Sequence, residues 1–250
     1  MRKALIRIAL LAVLAAGLTA AAALADQTAT VTSSNHHVSH GTQVTVDVQG
    51  SDPAAAGQVP HSVAVKAARG FKVDTRAVAK LCTSSEASSN SCPSQSRIGG
   101  GQATITVNGP SLPPNGQYTA TADLFLAHPQ QSGDVAGVVL ELSYLGYHVH
   151  TIGRLLHVAT GPFGVETLFD ALDKYSVPAG YSAKLDSIHV TFGVHRTVKR
   201  KRKGKKPKKV RHDLIRNPSK CSGHWPWEVV VTYPSSYSRT FDGSLPCTSP

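Results

Sequence analysis

The chain has 250 residues, 41% of them hydrophobic, which is ample for a sizeable buried core. Its 26 Lys and Arg against 15 Asp and Glu give a formal charge of +11. Eleven of those basic residues fall between Arg196 and Arg211 with no acidic residue among them, so the rest balances at 15 against 15. That excludes a generally basic surface: the chain reads as a neutral body with one cationic arm.

Residues 1–25 read as a secretory signal peptide. Arg2, Lys3 and Arg7 form a positive start, Ile8 to Leu24 is apolar and Ala-rich, and Ala23-Leu24-Ala25 fits cleavage before Asp26. An uncleaved membrane anchor fits the Ala content and the cleavage pattern less well. No transmembrane segment is expected after cleavage, and residues 26–250 are expected to form one secreted or cell-envelope domain. Loss of three positive charges leaves a mature chain of +8, in which the arm supplies +11 and the body −3. Oligomeric state is not legible.

From Asp26 onward the dominant signal is alternation. Val44, Val46 and Val48 oppose Gln43, Thr45 and Asp47, and the pattern recurs over 103–107, 118–126, 136–144, 188–194 and 229–233. Gly99 to Gly101, Gly109-Pro110, Pro113 to Gly116, Gly161-Pro162 and Pro178 to Gly180 read as turns. Short strands between such turns predict an all-β fold, a single β-sandwich-like domain with one or two short helices. The helices are expected over 74–81, with Asp74 as N-cap, and around Val165, Leu168, Phe169 and Leu172, whose spacing is helical. The arm, 196–211, is expected to be an extended hairpin with Gly204 and Pro207 near its tip.

Cys82, Cys92, Cys221 and Cys247 suit an oxidising compartment and allow three disulfide connectivities. The sequential pairing closes the local loops, and chain-entropy arguments assign roughly 2.7 and 3.5 kcal/mol to Cys82–Cys92 and Cys221–Cys247. A four-thiolate zinc site is disfavoured, because neither pair has the short spacing such sites use.

Val78-Ala-Lys-Leu-Cys82, Ser91-Cys-Pro-Ser-Gln-Ser-Arg-Ile-Gly99, Leu214-Ile-Arg-Asn-Pro-Ser-Lys-Cys-Ser-Gly-His-Trp225 and Gly243-Ser-Leu-Pro-Cys247 resemble segments of a group of exported actinobacterial proteins of unknown function. The specific elements are Cys-Pro-x-x-Ser-x-Ile-Gly and Asn-Pro-x-x-Cys-x-Gly-x-Trp. The resemblance implies secretion, a β-rich fold and the sequential disulfides. It implies no activity.

No catalytic set is recognisable. Ser39-His-Gly-Thr42 echoes a subtilisin-like segment, but neither a matching nucleophile segment nor a Gly-x-Ser-x-Gly elbow occurs. Glu166, Asp170 and Asp173 on one helical face would more simply be solvated acids than a glycosidase pair. His36, His37 and His40 form the densest imidazole cluster and are weak candidates for copper or zinc; His148 and His150 would share one strand face. Trp225-Pro-Trp227 is expected to pack against the nearby disulfide rather than to stack on sugars or bases.

The sequence therefore favours a non-catalytic secreted or envelope binding or structural protein without a cofactor. Its candidate polyanion-binding residues are Lys199, Arg200, Lys201, Arg202, Lys203, Lys205, Lys206, Lys208 and Lys209. The expected partner is an anionic cell-envelope polymer or lipid surface, with nucleic acid bound only non-specifically because no aromatic residue interrupts the run. The alternatives are an exported hydrolase whose site is not recognisable from sequence, or a His-mediated copper or zinc binder.

Overall fold

Alternating side chains need a buried and a solvated face, and here one curled sheet supplies both. The computed structural model describes residues 26–50, 55, 58–109, 116–144, 146–172, 181–202 and 205–249, without the side chains of 201, 202, 205 and 206. The expected residue 1–25 leader lies outside this range. The strands are β1 (Thr28–Ser33), β2 (Val44–Gln49), β3 (Ser62–Ala68), β4 (Lys72–Val73), β5 (Arg97–Asn108), β6 (Gly116–Ala127), β7 (Asp134–Tyr144) and β8 (Tyr147–His157). They continue as β9 (Phe163–Phe169), β10 (Ser182–Phe192), β11 (His195–Arg202), β12 (Lys205–Asp213), β13 (Ile215–Arg216), β14 (His224–Thr232) and β15 (Ser238–Pro246). Among the described residues the one α-helix is α1, Ser84–Ser88, closed by a capping box between Thr83 and Glu86.

Eleven strands form one sheet in the order β1-β2-β10-β5-β6-β7-β8-β9-β3-β14-β15, antiparallel throughout. The all-β class with two disulfides and very little helix is what the sequence predicts. Its two layers arise from a single sheet turning back on itself, nearly a barrel, rather than from two separate sheets. The edge strands β1 and β15 come alongside each other. At one end of this seam the Tyr233 hydroxyl donates to Gln27 Oε1 at 3.2 Å, and Arg239 lies 3.6 Å from Asp26. At the other end the tail pairs with the β1–β2 loop, Thr248 N–H donating to the His36 carbonyl at 2.9 Å.

Register decides which face is inside. Val31 faces Val46, Val46 faces Val190, Val190 faces Gly101, and across the sheet Leu124 faces Leu140 and Val65 faces Val229. These side chains point inward, while Asp47, His189, Lys66, Glu166 and Glu228 occupy the outer face. A polar exterior around an apolar interior is the reverse of a lipid-facing barrel.

Three sequence expectations are corrected here. Gly99 to Gly101 is not a turn but the start of β5, where a Cβ on Gly99 or Gly101 would run into the β10 backbone. The segment around Val165 to Leu172 is not helical: 163–169 is β9, with Val165, Thr167 and Phe169 inward opposite Ala67, Val65 and Val63. Inward Thr167 and outward Leu168 break the binary alternation, which is why the spacing mimics a helix. Asp74 caps only a 3-10 turn, Thr75–Ala77, rather than a helix extending to residue 81.

One barrel end carries the short β4–β13 pair, where Phe71, Leu214 and Ile215 of β13 itself are buried. Phe71 meets Trp225 edge-on at 5.6 Å between ring centroids. The Cys82–Cys92 segment lies on the outside of the barrel, where Cys82, Ala87, Phe125, Ala127 and Val139 form a second small core over β6 and β7. Cys82 is fully buried there.

Candidate functional site

The basic arm is a two-stranded hairpin. β11 and β12 pair from His195 opposite Asp213 out to Arg202 opposite Lys205. The register shifts between Arg200 and Arg202, where the partner strand carries Pro207, which has no N–H to donate. An irregularity there is the ordinary way for a ladder to absorb a proline.

The same register sets Lys199 opposite Lys209 and Arg200 opposite Lys208, and all four side chains are exposed. Like charges directly opposite each other destabilise a strand pair, so the distal hairpin carries uncompensated repulsion. Lys203, and the side chains of Lys201, Arg202, Lys205 and Lys206, lie outside the described residues.

The root is anchored by neutral and charged contacts. The Arg196 guanidinium donates to the Val78 carbonyl at 3.2 Å, and His212 Nδ1 lies 2.7 Å from Asp74 Oδ2. Arg76 holds the other oxygen of Asp74 at 2.7 Å. The Arg76 hydrogen bond is the main reason that the Asp74 carboxyl titrates well below the usual carboxylate range; burial opposes it and His212 assists. Next to His212 at the end of β12, Asp213 is 8% exposed. Burial pushes its carboxyl up, but Arg211 at 2.6 Å and Arg216 at 3.2 Å outweigh burial, so it stays ionised at neutral pH.

Beside this ion cluster lies a polar cavity of about 280 Å³ bordered by Ser34, Thr42, Gln43, His195, Arg211 and Asp213. Its hydroxyls serve the backbone: Ser34 Oγ accepts from Gln43 N–H at 2.9 Å and Thr42 Oγ1 from Asn35 N–H at 3.2 Å. A carboxylate held ionised by two guanidinium groups is a weak proton acceptor. The arrangement organises the root of the arm and offers no activated nucleophile.

The histidines of the β1–β2 loop are drawn to separate partners. His36 Nε2 lies 3.0 Å from the Ser33 carbonyl, His37 Nδ1 3.0 Å from Thr248 Oγ1 and His40 Nδ1 2.9 Å from the Val38 carbonyl. The His37 and His40 rings are 5.6 Å apart. Among the described residues no three His, Cys, Asp or Glu side chains are grouped to hold a metal ion. The loop carrying these histidines is held from behind by Asn217, 1% exposed, whose amide donates to the carbonyls of Asn35 at 2.7 Å and His37 at 3.0 Å. That is the work of the Asn in Asn-Pro-x-x-Cys.

On β8, His148 meets Glu141 and Ser143, and His150 meets Asn90 on the external disulfide segment at 2.9 Å. Glu166 lies on the outer face of β9, and Asp173 is outside the described residues. None of Glu166, Asp170, His148, His150 or His157 borders the polar cavity or the barrel interior. Trp225 and Trp227 are both buried, at 3% and 8% exposure, and Trp225 Nε1 donates to the Lys220 carbonyl at 3.0 Å beside Cys221. The disulfides are the sequential pairs, Cys82–Cys92 and Cys221–Cys247, with Cα separations of 5.2 and 5.7 Å. Such bonds mark an oxidising environment.

No protein-family model matches this chain, and no curated protein matches it in sequence.

What sequence reasoning missed is the root of the arm. Asp74, Asp213, Arg211, Arg216 and His212 come from two distant segments, and only Asp213 signals itself, as the first acid after the basic run.

Proposed function

We propose that this is a non-catalytic binding protein of the extracytoplasmic space whose basic hairpin captures anionic polymers or surfaces. The observation that carries this reading is the ladder of the arm, Lys199 against Lys209 and Arg200 against Lys208, both pairs exposed. A polyanion lying along the hairpin relieves that repulsion and exchanges its own counterions for fixed charge. The fastened root supports the same reading, because it presents the charges on a strand pair anchored to the body. The disulfides suit an extracytoplasmic setting, and the expected leader would deliver the chain there. Envelope polymers such as teichoic acid, and anionic lipid headgroups, are the partners of matching chemistry. Nucleic acid would bind without sequence preference, since the arm offers no aromatic platform.

The test is retention of residues 26–250 on heparin, teichoic acid, anionic vesicles and duplex DNA, against a variant with Lys199 to Lys209 replaced by a short Gly/Ser loop. Loss of retention in the variant is the expected result. If about five phosphates are neutralised on DNA, log K falls with log salt at a slope of roughly −4.5. Equal retention of both proteins at low salt would reject the proposal.

A further inference from the structure

Protein interiors are packed almost without voids larger than a water molecule, yet the space enclosed by the curled sheet contains an apolar cavity of about 150 Å³. Its wall includes Val46, Val65, Leu140, Phe169, Ile188 and Trp227, drawn from strands all round the sheet. Register turns Val65, Phe169 and Ile188 inward, yet these residues are only half-buried, because their free surface faces the cavity. Polar character is almost absent from the lining. Thr167 is inward, and the one charged side chain of the lining among the described residues, Lys66, sends its ammonium to Glu228 at 2.7 Å on the outer face.

We propose that this cavity is a binding site for a neutral hydrocarbon group, either a small free molecule or the tail of an amphiphile. An apolar cavity of about 150 Å³ lined by such side chains is the size that accepts a benzene-sized molecule without rearrangement. A charged group inside would find no partner and would carry the full cost of desolvation, so any polar head stays outside. At the end covered by the β4–β13 pair, Leu214 and the β13 residue Ile215 add apolar surface to the cavity wall. The inference is independent of the arm: among the described residues the lining contains none of the arm's basic side chains.

The chain's two tryptophans, Trp225 and Trp227, both lie on β14, and Trp227 borders the cavity, so intrinsic fluorescence reads occupancy directly. Residues 26–250 with both disulfides formed are titrated with benzene, 1-hexanol and decanoate, following tryptophan emission and thermal midpoint. The expected result is a saturable emission change and a raised midpoint with benzene and 1-hexanol. The same response to decanoate identifies an amphiphile tail as the natural occupant, and its absence identifies a small uncharged one. Val65→Phe and Ile188→Phe fill the space and should weaken benzene binding at least ten-fold while a folded near-UV spectrum is kept. In the unmodified protein, bound benzene should give nuclear Overhauser contacts to the Val65 and Ile188 methyls, a readout independent of how the variants fold. No saturable response to benzene or 1-hexanol, contacts only to other residues, or unchanged affinity in both folded variants would overturn the proposal.

Discussion

The carboxyl group of Asp213 lies directly over Gly41, with Oδ1 2.5 Å from the position a Cβ on that glycine would take. The His40-Gly41-Thr42 segment thus owes its glycine to the ion cluster at the arm root. Gly41→Ala would push Asp213 away from Arg211 and Arg216, disturbing charge-assisted bonds of a nearly buried group. A loss of about 1–3 kcal/mol is expected from urea unfolding. A variant as stable as the parent would show that the carboxylate can move without cost.

Acid should weaken the fold in a defined window. Lys80 and, after it, Thr83 lower the Glu86 carboxyl from 4.5 to about 2, and Asp74 and Asp213 also titrate below their ordinary values. A carboxyl with a lower pKa folded than unfolded contributes stability that is complete above the unfolded value and lost as pH falls through the folded one. The denaturation midpoint should therefore hold steady above about pH 5 and decline progressively below it. Asp74→Asn combined with Asp213→Asn should flatten that decline; an unchanged acid slope would assign it to other groups.

The two disulfides secure different parts of the molecule. Replacing Cys221 and Cys247 with Ala opens the longer loop and should cost about 3.5 kcal/mol, against about 2.7 kcal/mol for Cys82 and Cys92. Only the second change should uncover Phe125 and Val139 on the outer sheet face, which the Cys82 segment covers. Binding of a hydrophobic dye to the folded Cys82/Cys92 variant, and not to the other, is the expected pattern.

Inside the barrel the indole of Trp227 lies against Gly243, its directly opposed partner on β15. A methyl group at that position overlaps the ring, and overpacking of this kind typically costs about 1–3 kcal/mol. Gly243→Ala should lower the unfolding midpoint and shift tryptophan emission, whereas Gly223→Ala, which meets no neighbouring atom but has φ of +102°, should leave emission unchanged.

Local chemistry was enough to read part of this protein. Alternating valines in 43–48, and the β-branched run of 229–233, can bury one face only as strands, and they became β2 and most of β14. The basic run, with Gly204 and Pro207, could not enter a core, and the described part of it is a hairpin. Cysteines 10 and 26 residues apart favoured local loops, and those loops are closed. Properties of partners distant in the chain stayed hidden. β9 looked helical because its inward Thr167 and outward Leu168 make sense only beside β3 and β8. Gly99 and Gly101 looked like a turn because the β10 backbone that excludes their side chains lies some ninety residues away. Whether the strands make two sheets or one curled sheet depends on how β1 and β15 meet, and the cavity exists only once they do. Side-chain period is written residue by residue; register, closure and enclosed volume arise from distant segments coming together, so the tertiary structure alone decides them.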